Sequence, residues 1–144
     1  MGYLPRLLLL LHIALASGGA QADLVVVTSQ KSGIEYLSRQ EVVNLYMGRL
    51  RTNTAGNTAT PLDLAVDTPE RVEFYRLLVN KEAADIKAYW SRLVFSGGAR
   101  PPQSAENIDE LIRMISQTPG LVGYLPRKQL DNRLKVIYEF SVSP

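Results

Sequence analysis

Thr118-Pro119-Gly120-Leu121-Val122-Gly123-Tyr124-Leu125 is the stretch that decides how this chain is read. Pro119 presets φ for the second position of a β-turn, and Gly120 can take the positive φ that a type II turn needs at its third. Leu121, Val122, Tyr124 and Leu125 then read as a buried strand, with Gly123 inside it marking a close backbone approach. A turn that delivers a buried strand straight out of a helix is the repeating joint of a layered α/β fold.

The segments on either side agree. Upstream, Ile108, Leu111, Ile112 and Ile115 fall at i, i+3, i+4 and i+7, the stripe of an amphipathic helix that ends at the turn. Downstream, Leu134, Val136, Tyr138 and Phe140 alternate with Lys135, Ile137 and Glu139, which predicts a closing strand with the first four on the core face. Further upstream, the Ser96–Pro102 stretch (Ser-Gly-Gly-Ala-Arg-Pro-Pro) is a loop, and Lys81 to Val94 predicts a helix burying Ile86, Tyr89, Trp90 and Leu93. Thr68-Pro69-Glu70 is a helix start, with a hydroxyl N-cap, Pro at the first position and an acid in the first turn. Before it, Pro61 to Val66 alternates as a strand, Leu62, Leu64 and Val66 on one face and Asp63 and Ala65 on the other.

Arg49 to Thr60 is a polar loop, and Ser38 to Glu41 a capping box that opens a helix stopped by Gly48. Leu24 to Thr28 is a β-branched first strand, followed by the loop Ser29 to Gly33. Strands and helices alternate, so the expectation is one α/β domain with a small, mainly parallel or mixed sheet flanked by helices.

The chain has 144 residues, with 16 Lys and Arg against 14 Asp and Glu, a net charge of +2. Residues 1–22 read as a cleaved signal peptide: Arg6 supplies the positive end, Leu7 to Leu15 the apolar core, and Ala20-Gln21-Ala22 a small-residue cleavage site. The core is too short to span a bilayer. The domain is then 23–144, nearly neutral, with no expected nucleic-acid partner. Cysteine is absent, which fits an exported protein of a bacterial periplasm better than a disulfide scaffold.

His12, the sole histidine, lies in the leader. Without His or Cys the remaining chain cannot build Ser-His-Asp or Cys-His nucleophiles, nor imidazole or thiolate metal sites. No glycine pair forms a phosphate loop or a dinucleotide fingerprint. The expectation is therefore a non-enzymatic binding protein without cofactor or metal. Thr68, at a helix N-terminus with its free N–H groups and positive dipole end, is a candidate anion site, and the Ser29–Gly33 loop can add hydroxyls and Lys31.

The series Leu24–Val27, Leu37-Ser38-Arg39-Gln40-Glu41-Val42 with Tyr46-Met47-Gly48-Arg49, Pro61-Leu62-Asp63, Phe74-Tyr75, Tyr89-Trp90, Pro101-Pro102 and Thr118–Tyr124 resembles a short family related to the substrate-binding proteins of ABC phosphate importers. The resemblance implies the type 2 periplasmic-binding fold. At this length it implies a single lobe with its hinge strands, where importer proteins have two lobes closing on phosphate. In that family an Arg and, four residues on, Ser-Gly-Thr hold the phosphate. Those positions are Leu64 and Thr68-Pro69-Glu70 here, so only Thr68 keeps a hydroxyl, and Arg71 is needed to offset Glu70.

The ligand-binding expectation is Thr68 with Arg71, Ser29 and Ser32 as helpers, taking phosphate or a similar oxyanion, a dimer being one way to supply a second lobe. The alternative is a ligandless interaction module docking on a membrane transporter or sensor through Tyr46, Arg49 and Arg51.

Overall fold

The computed structural model describes residues 23–53 and 55–141; the expected leader, 1–22, lies outside the described residues. Ten elements follow in order: β1 (Leu24–Ser29), α1 (Arg39–Tyr46), β2 (Thr60–Leu64), α2 (Pro69–Val79), α3 (Ala83–Phe95), β3 (Gln103–Ala105), α4 (Ile108–Gln117), β4 (Leu121–Pro126), a one-turn 3₁₀ helix (Arg127–Gln129) and β5 (Leu134–Glu139). No helix of the described residues is long and apolar enough to cross a membrane.

The five strands form one mixed sheet in the order β3-β2-β4-β1-β5. β2 runs parallel to β3 and β4, while β1 runs antiparallel to both of its neighbours, β4 and β5. The carboxyl ends of β2 and β1 therefore lie at opposite ends of the sheet. That arrangement decides which of the expected site residues can meet.

The central turn forms as its residues require. Leu121 N–H donates to Thr118 O at 3.2 Å, and Gly120 takes φ +98°. Gly123 is where α4 lies on the sheet: a Cβ there would stand 2.6 Å from Ile115 Cδ1. Ile108, Leu111, Ile112 and Ile115 are buried by this contact.

α1 opens on the expected capping box between Ser38 and Glu41. It closes with Gly48 N–H on Leu45 O and Arg49 N–H on Asn44 O, and Gly48 at φ +77°. This paired bonding satisfies two of the carbonyls a helix end leaves open.

Two expectations are corrected. β2 stops at Leu64, and Val66 turns outward, 65% exposed, because it belongs to the turn into α2. In β5, Val26 faces Tyr138 while Val27 faces Val136, so Ile137 is an extra residue in the ladder. The bulge turns Ile137 inward and leaves Val136 and Tyr138 half-buried, because one inserted residue reverses the side-chain alternation beyond it. β3, three residues long, carries too short a pattern to be read in advance.

Candidate functional site

β2 delivers Asp63 into the interior, where the residue is 3% exposed. The backbone N–H of Leu64 donates to Asp63 Oδ1 at 2.8 Å. Tyr124 of β4 donates its hydroxyl to the same oxygen, and Tyr75 of α2 donates to Oδ2. Arg71, one turn into α2, places Nε 3.4 Å from Oδ2 with 11% of its side chain exposed. Its guanidinium carbon also lies 4.9 Å from the centre of the Tyr75 ring. A buried carboxylate is tolerated only when such partners replace its water.

The aromatic frame is continuous with this network. Phe74 stacks on Tyr124 with ring centres 3.8 Å apart. Tyr46 meets Phe74 edge-on and donates to the carbonyls of Leu62 and Val122. Burial first, and the Asp63 charge second, push the Tyr46, Tyr75 and Tyr124 hydroxyls well above their ordinary pKa. The three remain neutral donors.

Thr68 is the N-cap of α2. Its hydroxyl donates to Ala65 O at 2.8 Å and accepts from Arg71 N–H at 3.4 Å. Pro69 has no N–H and Val72 N–H goes to Thr68 O, so Glu70 carries the first-turn donor without such a partner. Arg71 lines an open, mainly apolar groove of about 750 Å³, with Val66, Lys87, Val94 and Phe95 on its walls. Phe95 is 96% exposed.

The structure thus brings together Thr68 and Arg71, and holds Ser29 and Ser32 apart from them at the far end of the sheet. Ser29 Oγ accepts from Lys31 N–H and Ser32 Oγ from Ile34 N–H, both shaping the local loop. Tyr46, expected as a docking contact, is fully buried because its ring completes the aromatic frame. Arg49 and Arg51 are exposed. Asp63, Tyr75 and Tyr124 were missed as a unit: the alternation of β2 put Asp63 with Ala65 on the face opposite Leu62 and Leu64, and nothing in the linear order joins 63, 75 and 124.

No metal-holding group of acidic, His or Cys residues occurs among the described residues. The sequence matches no family model, and no curated protein matches it. Solved structures do match. An ABC-type phosphate transport receptor from Vibrio cholerae superposes with a TM-score of 0.62 at 13% identity, over 81% of this chain and 45% of the receptor.

A phosphate ABC transporter substrate-binding protein from Clostridium perfringens, with phosphate bound, gives 0.63 at 9% identity, over 81% and 44%. PstS from Borrelia burgdorferi gives 0.62 at 14%, over 85% and 49%. The chain spans less than half the length of each. At these identities the likeness speaks for architecture, and it agrees with the sheet order and helix placement above: the chain has the fold of phosphate-transport substrate-binding proteins, over a stretch that matches a single lobe.

Proposed function

We propose that this chain is an exported, periplasmic, non-enzymatic binding lobe that receives phosphate or a similar oxyanion at the N-terminus of α2. The observation that carries this is Arg71, a largely buried guanidinium that lines the open groove within one turn of a helix N-terminus. Helix dipole, the Glu70 N–H and a guanidinium fork all favour an oxyanion there. Thr68 and Arg71 form this reading of the site. Ser29 and Ser32 belong to the other end of the sheet.

Asp63 is the competitor, since it already holds the Arg71 charge. An arriving oxyanion gains only what Arg71 gives beyond its bond to Asp63. Calorimetric titration with phosphate tests the reading. Asp63→Asn is expected to tighten binding by freeing the guanidinium, and Thr68→Val with Arg71→Ala to abolish it; binding unchanged in that double variant sinks the assignment.

A second reading rests on a different observation. Phe95 and Val66 present apolar surface to water on the same groove whose arginine, Arg71, is internally paired. Such a face suits docking on a membrane transporter or sensor. It becomes the better reading if neither the native protein nor Asp63→Asn gives heat with phosphate.

A further inference from the structure

We infer that a second cavity, at the end of the sheet where β2 and β3 begin, is a binding site for a small organic acid: a carboxylate carried on a compact apolar or aromatic body. The cavity holds about 160 Å³, lies between the end of α1, α3 and the starts of β2 and β3, and is half enclosed. By a water's share of liquid volume, about 30 Å³, it has room for roughly five waters or one small molecule.

Its chemistry is one-sided. Arg51 and Arg100 both line it, and no carboxylate does. Neither arginine side chain has an ion pair or hydrogen bond among the described residues. Arg71, Arg76, Arg113, Arg127 and Arg133 are each paired to an acid, and the exposed Arg49 and Arg92, which are not, do not line the cavity. Two unpaired guanidiniums at one cavity repel, and a shared anion relieves both; a carboxylate also matches the guanidinium fork.

The remaining walls choose the rest of the ligand. Leu45, Ala59, Pro101 and the Trp90 ring give apolar surface, with Thr60 and Gln103 as neutral polar groups. Inorganic phosphate would lose water against those walls with nothing in return, whereas an apolar body gains from the contact. The Trp90 indole, 6% exposed, also has a buried Nε1–H with no acceptor among the described residues.

The frame around the cavity is fixed. Tyr89 donates to Met47 O at 2.7 Å, and Ala59 N–H donates to Arg51 O at 2.8 Å. Gly48 packs so closely on Trp90 that a Cβ would stand 2.8 Å from Cη2. The Trp90 wall and the Arg51 backbone are therefore set, and the ordering cost of binding falls on the two arginine side chains.

Trp90 is the single tryptophan of the chain, so its fluorescence reads this wall. Titrating the purified protein with benzoate should give a saturable change in emission. The apparent affinity should fall about tenfold or more in Arg51→Gln and again in Arg100→Gln, as loss of a charge-assisted bond implies. Lys128→Gln, a charge control outside the cavity, should leave the titration unchanged. Both arginines are exposed, and circular dichroism verifies that the variants fold. The inference is overturned by a benzoate response that survives both arginine substitutions, by no response, or by phosphate binding more tightly than benzoate with the same arginine dependence.

Discussion

The two ends of this sheet handle positive charge in opposite ways. Where β2 ends, Arg71 is drawn inward and answered by Asp63, whose remaining lone pairs go to Tyr75, Tyr124 and a backbone N–H. Where β2 begins, Arg51 and Arg100 border a cavity with no acid in its walls. The first arrangement ties its cation into the fold, so an oxyanion arriving at Arg71 must compete with Asp63. The second leaves its electrostatics open to whatever enters, so a charge substitution should cost much stability at the first end and little at the second.

Substitutions can test that separation. The largest effect is expected at Asp63: Asp63→Ala strands two tyrosine hydroxyls and a guanidinium, and should cost about 3–5 kcal/mol of unfolding free energy, as breaking one side of a buried pair does. A loss below about 1 kcal/mol in urea melts, the scale of an ordinary surface change, would break the comparison. Next comes alkaline pH. Tyr46, Tyr75 and Tyr124 have pKa values raised in the folded state above the ordinary value of 10.0. The folded protein thus holds protons that the unfolded chain gives up, and stability should be full below pH 10 and fall as pH rises beyond it. The last step of tyrosinate absorbance, from the three buried hydroxyls, should appear together with loss of the folded circular dichroism signal, and complete tyrosine ionisation in a protein still folded would refute the coupling.

At the open end the largest structural effect belongs to Gly48. Gly48→Ala meets both the φ of +77° and the Trp90 ring, and should cost about 1–3 kcal/mol with a shift in tryptophan emission. Thr68→Ala removes an N-cap and should cost about 1 kcal/mol by denaturant melts. Smallest of all, Arg51→Gln and Arg100→Gln should move stability by no more than about 0.5 kcal/mol, as for surface groups without partners. A greater loss from either would mean that the open end also serves the fold.

The legible parts of the molecule were those set by neighbours in sequence. The Thr118–Leu121 turn, the Ser38–Glu41 box, the Gly48 stop and the Thr68-Pro69 start each draw their bonds from within a few residues. The α4 stripe was equally plain, because a four-residue repeat of apolar groups has one way to be buried on a sheet. The resemblance of the linear motifs to phosphate-importer proteins led to the same single-lobe fold that the structural comparisons show.

What could not be read was set across distance. The β5 bulge depends on pairing with Val26 and Val27, more than a hundred residues earlier, and local alternation carries no trace of it. The Asp63 cluster is assembled from β2, α2 and β4, and the cavity from parts of α1, α3, β2 and β3 and the two connections that lead into those strands. The placement of Ser29 relative to Thr68 turned on strand direction, which periodicity does not encode.

β1 lies between β4 and β5, with Val25 opposite Leu125 and Glu139, and Val26 opposite Tyr124 and Tyr138. Of the five described strands, the first to be made is therefore the one whose partners are the last two. Neither edge of Leu24–Ser29 can pair until residues 121–139 exist, and closing loops of that length before any reward slows the rate-limiting step. Productive folding should begin only once residues 121–139 have been made, and a product truncated before Leu121 should leave a β-branched, apolar segment with two open edges and a strong tendency to aggregate.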